Sequence, residues 1–326
     1  MSLSIPRQPQ RTAARSTPCW IAALGVALGA LACSTNSRNL TRSEPSELEA
    51  PAPEACGVAS PAPAGRSEQA IDSGGVSRRS LLYVPRSGGT GARPLVFTLH
   101  GSGGSPEDQL ALSGLEALAE EHGFLVLAPE GVDRRWNVPV DAAKPDDVRF
   151  ISDAIDRAGA LACIDRQRVF ATGFSGGGRM VSQLACDLSG RIAAIAAVGG
   201  IRFPGPCAAA RPFPILAFHG TADDVNPYDG GGQPYWGTGV EPAVLGWAEH
   251  NACAVRNDAQ FSPAVLAISY GGAGCGNEVV LYRIDGFGHT WPGSLGTAPA
   301  AAGGVPSDIS ANQLLWSFFE RHPLAL

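Results

Sequence analysis

Between positions 169 and 180 the chain reads Val-Phe-Ala-Thr-Gly-Phe-Ser-Gly-Gly-Gly-Arg-Met. A β-prone apolar run at 169–171 meets Gly173-Phe174-Ser175-Gly176-Gly177, and a helix-compatible segment at 179–188 follows. A strand that turns this sharply into a helix leaves no room for side chains two positions either side of the apex, where the glycines stand. Ser175 occupies the apex, and the helix N-terminus behind it offers N–H groups to a developing negative charge. The stretch reads as a nucleophile elbow.

The same grammar runs through the rest of the chain. Strands are expected at 80–85, 95–99, 124–128, 169–171, 192–198, 214–218, 265–270 and 279–284, and helices at 110–122, 146–159, 179–188, 241–251 and 310–321. The run at 95–99 is continuously apolar, as a strand buried on both faces is. Ser105-Pro106-Glu107-Asp108 carries helix-start chemistry: a capping serine, a first-turn proline and acids near the positive end. Alternating strands and helices define an α/β class, with a mostly parallel central sheet and helices on both faces. Ligands gather beyond the carboxyl ends of such strands, where the motifs described next also lie.

Residues 1–33 read as a signal peptide. Arg7, Arg11 and Arg15 precede an apolar run at 20–31, about a dozen residues and too short to span a bilayer, and Ala30-Leu31-Ala32 fits a cleavage site. Alternatively, Cys33 carries the lipid of a cell-surface lipoprotein. Residues 34–71, rich in Pro, Ala, Ser and Glu, bury too little apolar surface to offset chain entropy and read as a disordered tether. Residues 72–326, roughly 255 in number, suit one catalytic domain. A net charge of −6, 17% charged residues and no basic cluster argue against a nucleic-acid partner. No metal site is expected, because no cysteines stand at ligand spacing with a histidine. Disulfides of an oxidising compartment are expected instead. Cys253 and Cys275 are the best pair; Cys56, Cys163, Cys186 and Cys207 are left unassigned.

A serine becomes a useful nucleophile when a histidine takes its proton and a carboxylate orients that histidine. After an elbow the chain order is serine, acid, histidine. Of the four histidines beyond Ser175, His289 stands in the Gly-rich loop Gly286-Phe287-Gly288-His289-Thr290-Trp291-Pro292-Gly293, directly after the last strand. His219 reads as a structural turn residue. Asp223, just past the strand at 214–218, is preferred to Asp224 as the acid. The expected oxyanion donors are the N–H groups of Gly176 and Ser102, the latter within His100-Gly101-Ser102-Gly103-Gly104.

Leu82-Tyr83-Val84-Pro85, Leu99-His100-Gly101, Pro129-Glu130-Gly131, Trp136-Asn137, Asp146-Asp147-Val148, the elbow, His219 to Asp223, Pro227-Tyr228 and the His289 loop follow in order through 80–293. Together they resemble the secreted α/β-hydrolase family of poly(3-hydroxybutyrate) depolymerases and feruloyl or acetylxylan esterases. The resemblance implies an α/β-hydrolase fold and a serine esterase needing no cofactor. Its serine, acid and base fall on Ser175, Asp223 and His289. Pro129-Glu130-Gly131 departs from the commoner Pro-Asp-Gly without touching those three. The expected activity is extracellular, acyl-enzyme hydrolysis of feruloyl or acetyl esters on plant cell-wall polysaccharide. Poly(3-hydroxybutyrate) or hydroxyalkanoate oligomer depolymerase is the alternative within the family, and a non-catalytic cell-surface binding protein the alternative outside it. About 15 residues separate the strands ending near 198 and starting near 214, too few for a large lid. Trp136, Phe174, Tyr228, Tyr235, Trp236 and Trp291 lie in loops expected near the open face, to stack on a phenolic acid or sugar or to pack the loops.

Overall fold

A computed structural model describes residues 62–87, 89, 91–294 and 308–325. The expected signal peptide, Cys33, Cys56 and most of the tether lie outside the described residues. In chain order the elements are β1 (Gly65–Ser73), β2 (Val76–Val84), β3 (Arg93–Leu99), α1 (Pro106–Ser113), α2 (Leu115–His122), β4 (Leu125–Pro129), α3 (Asp147–Leu161), β5 (Ile164–Phe174), α4 (Gly176–Asp187), β6 (Ala194–Val198), β7 (Ile215–Gly220), α5 (Val240–His250), β8 (Val255–Ser262), β9 (Val265–Gly271), β10 (Val279–Ile284) and α6 (Ala311–Glu320).

All the strands join one sheet in the order β1-β2-β4-β3-β5-β6-β7-β10-β9-β8. From β4 across to β10 neighbouring strands run parallel. The flanking pairs are antiparallel. β3 explains its own apolar run. Leu95, Phe97 and Leu99 pack with Phe150, Val181 and Trp247 of α3, α4 and α5 on one face. Val96 packs with Leu110, Leu118 and Phe318 of α1, α2 and α6 on the other. A strand covered on both faces has no place for a polar residue facing water.

Two expectations are corrected, and one strand, β8, was not expected. The helix expected at 110–122 is two helices, because Gly114 takes a left-handed φ of 63° and its N–H caps the Leu110 carbonyl at 2.9 Å. The domain begins earlier than residue 72, since β1 starts at Gly65 and pairs with β2 along its length. β1 is an edge strand with only Ile71 and Ser73 buried, so its composition looks like that of a tether. β8, at the opposite edge, exposes residues 255–261 and carries no apolar face to announce it.

Disulfides join Cys253 to Cys275, as expected, and Cys186 at the end of α4 to Cys207. The connection from β6 to β7 that carries Cys207 contains no helix, and no large lid stands there. No helix among the described residues is long and apolar enough to cross a membrane.

Candidate active site

Only Ser175 separates β5 from α4. Its backbone sits at φ 52° and ψ −111°, a region that residues with a Cβ avoid. Neighbouring strands hold it there: the Ser175 N–H donates to the Val198 carbonyl at 2.9 Å, and its own carbonyl accepts from Arg179 N–H at 3.0 Å. A Cβ on Gly177 would run into the Leu99 carbonyl oxygen, so α4 starts directly on the end of β3. The same approach brings the loop after β3 over the elbow. The Ser102 amide nitrogen lies 3.0 Å from where a Gly176 Cβ would stand. Among the described residues neither the Ser102 nor the Gly176 N–H donates to a backbone carbonyl. Two free amides therefore stand side by side next to the serine.

His100 keeps that loop in place. Its Nε2 accepts the Gly131 N–H at 3.0 Å, so Nδ1 carries the proton and donates to the Gly101 carbonyl at 2.8 Å. Burial lowers the pKa of His100, which keeps the ring neutral in this role. The Trp136 indole N–H donates to the His100 carbonyl at 2.8 Å, and Gly103 N–H to the Arg134 carbonyl at 2.7 Å. The loop of the two amides is thus strutted by the loop after β4.

Asp223 and His289 meet across the ends of β7 and β10. A Cβ on Gly220 would strike the Phe287 carbonyl oxygen, and its absence lets the His289 loop cross the end of β7. His289 Nδ1 lies 2.7 Å from Asp223 Oδ2. The carboxylate fixes the tautomer: Nδ1 donates, and Nε2 keeps its lone pair. His219 Nε2 lies 3.3 Å from the same Oδ2 and 2.9 Å from the Asn226 carbonyl. The N–H groups of Val225 and Asn226 donate to Oδ1 at 3.0 and 2.7 Å. Burial alone raises the pKa of Asp223, but hydrogen bonds from His219 and His289 outweigh it and hold the carboxyl below the usual carboxylate range. Asp224 is exposed and makes none of these hydrogen bonds.

His289 packs against Phe174 with ring centroids 4.7 Å apart, and a Cβ on Gly199 would stand 3.4 Å from its ring. Gly199 directly follows the Val198 carbonyl that holds Ser175, so Asp223, His289 and Ser175 share one corner. Among the described residues neither Ser175 Oγ nor His289 Nε2 is engaged in a hydrogen bond. Ser175 is 8% exposed and the His289 side chain 13%, so both are largely buried yet still touched by solvent.

The aromatic loops are a correction. Trp236 and Trp291 are buried, not presented to a substrate. The Trp236 N–H donates to the Pro227 carbonyl and its ring stacks on His219; the Trp291 N–H donates to Asn312. Tyr228 donates to Glu241 of α5. Loop tryptophans whose N–H finds an internal carbonyl gain more from burial than from facing water. Phe174 stays beside His289. Trp136 and Tyr235 wall a cavity of about 370 Å³ that also touches Ser102, Asn137, Lys144 and Arg179. Arg179 and Asn226 are parts of the site that sequence reasoning did not single out, and His219, expected as a structural turn residue, stands beside Asp223 there. No cluster of three His, Cys, Asp or Glu among the described residues forms a metal-binding group.

The sheet order, the elbow and the corner shared by Ser175, His289 and Asp223 define an α/β-hydrolase. Solved structures agree on the fold. The acetyl xylan esterase of Aspergillus awamori superposes with a TM-score of 0.54 at 14% identity, covering 78% of this chain and 99% of that one. A thermostable esterase gives 0.52 at 17%, covering 79% and 63%. No family model matches the sequence. Feruloyl esterase C of Emericella nidulans is 30% identical over 255 residues, 74% of this chain and 83% of that enzyme. Feruloyl esterase B of Piromyces equi is 34% identical over 229 residues, 65% of this chain but 42% of that longer enzyme. The chain belongs to the family of these feruloyl esterases and is a carboxylic ester hydrolase.

Proposed function

We propose that the chain is an extracellular serine esterase that releases feruloyl or acetyl groups from plant cell-wall polysaccharide through an acyl-enzyme. The observation that carries the mechanism is the 2.7 Å Asp223–His289 hydrogen bond beside a serine held in a strained elbow. Ser175 Oγ attacks the ester carbonyl carbon and its proton passes to His289 Nε2. The oxyanion rests on the N–H groups of Ser102 and Gly176. The tetrahedral intermediate expels the alcohol, which takes the proton from His289. Water, deprotonated by the same ring, then cleaves the acyl-enzyme and frees the acid. Asp223 stays ionised throughout, holding the tautomer and stabilising the imidazolium.

The substrate class is supported by relatives whose names include feruloyl esterase and acetylxylan esterase. Residues 1–33 serve as the export signal and residues 34–64 as the tether; the disulfides Cys186–Cys207 and Cys253–Cys275 fit an oxidising compartment. Ser175→Ala lowers hydrolysis of 4-nitrophenyl acetate and methyl ferulate by about 10⁴-fold while leaving Tm in place. An active, folded Ser175→Ala protein contradicts the proposal.

A further inference from the structure

Arg179 lies on the fourth residue of α4, 6% exposed, with its guanidinium in the wall of the cavity beside the elbow. Its partners are poor. Nη1 is 3.5 Å from Asn226 Oδ1, Nη2 is 3.4 Å from Ser102 Oγ, and the buried Nε has no acceptor. The guanidinium stacks on the Tyr235 ring at 4.2 Å. Such a stack recovers only part of what a guanidinium loses on leaving water. No carboxylate among the described residues pairs with it.

The other charges around the cavity do not supply the missing anion. Asp147 lines it, but its carboxylate is spent on Arg78 Nη1 and the Asn137 N–H, both at 2.6 Å. Asp133 is exposed and shares the cavity lining with the equally exposed Arg135 and Lys144. Arg202, which is not part of the cavity wall, is close enough to add a second positive charge. Burial depresses the pKa of Arg179, Tyr235 opposes that, and Arg202 deepens it. The cavity therefore offers a fork of donors in a desolvated wall with an excess of positive charge, a few ångströms from one of the two free amides. A planar guanidinium in this state matches a carboxylate, which two parallel N–H groups can engage.

We propose that this cavity binds a carboxylate carried by the ester substrate, with the Arg179 guanidinium as its partner. The proposal rests on Ser175 being the nucleophile, since that places the scissile carbonyl beside Ser102. The carboxylate can belong to the acyl half, as in a dicarboxylic acid monoester, or to the alcohol half, as in a uronic acid residue.

Two matched pairs of synthetic esters separate these sources. For the acyl half, methyl 4-carboxycinnamate is compared with methyl 4-methylcinnamate; for the alcohol half, 4-acetoxybenzoate with 4-methylphenyl acetate. In the native protein one carboxylate member has a kcat/KM about tenfold above its methyl partner, and the pair that responds names the half. Arg179→Gln brings that ratio to about one, and Arg179→Lys keeps part of it. A native protein that prefers the methyl member of both pairs overturns the proposal, as does a preference that survives in Arg179→Gln. Should Arg179→Gln not fold, the native ratio alone decides: it must fall toward one in about 1 M sodium chloride, and a salt-insensitive ratio counts against Arg179. Hydrolysis of the methyl esters by the native protein but not by Ser175→Ala shows that the serine mechanism stands even where the carboxylate preference fails.

Discussion

Two buried charges flank the elbow, and the fold treats them in opposite ways. Asp223 receives two backbone N–H groups and approaches from two imidazoles, so its charge is fully compensated. Arg179 receives two long contacts and an aromatic face, and one of its N–H groups has nothing. A compensated charge fixes geometry, and an uncompensated one marks where a ligand completes the structure. Arg78 sharpens the contrast: it is as buried as Arg179 and its Nε likewise has no acceptor, yet its Nη1 is paired with the Asp147 carboxylate at 2.6 Å.

The largest break in that contrast is Asp223→Asn. The amide favours the wrong tautomer of His289, and kcat for 4-nitrophenyl acetate falls by about 10⁴-fold. A loss under tenfold would mean that another group orients the base. Asp147→Asn comes next. It leaves Arg78 buried and unpaired, and denaturant titration should register a loss of about 3–5 kcal/mol. Arg179→Met, by contrast, removes a cation that has no partner to strand, and the same titration should register a gain of about 1 kcal/mol. Equal losses in the two variants would mean that Arg179 is as well served as Arg78.

The smallest effect is linkage to pH. The carboxyl of Asp223 is held below its unfolded value, so its stabilisation is complete above the unfolded pKa of about 3.9 and fades as pH falls through the lower folded value. The Tm gap between the native protein and Asp223→Asn therefore narrows below about pH 4. A gap that stays constant through that range would show that Asp223 gains nothing from its charge.

The contrast also explains what was legible in the sequence. Ser175, Asp223 and His289 each stand next to glycine or just past an apolar strand, so local pattern picked them out as candidates. Continuous apolar runs announced β3 and β4, buried on both faces. β1 and β8 left no such trace, because edge strands pair through backbone and can be polar along most of their length. Arg179 was invisible for another reason. An arginine in an amphipathic helix reads as a solvated face, and only the packing of α4 against the loops of Ser102 and Tyr235 encloses it. Trp236 and Trp291 erred in the other direction, since a loop tryptophan looks available until its N–H is found bonded inside.

The central claim is that Ser175 forms the covalent intermediate, and a fluorophosphonate probe tests it by peptide mass mapping. The account predicts one adduct per chain, on the peptide that contains Ser175, and none after Asp223→Asn on the same timescale. An adduct on Ser102 or elsewhere, or an active protein that takes no label, would contradict it.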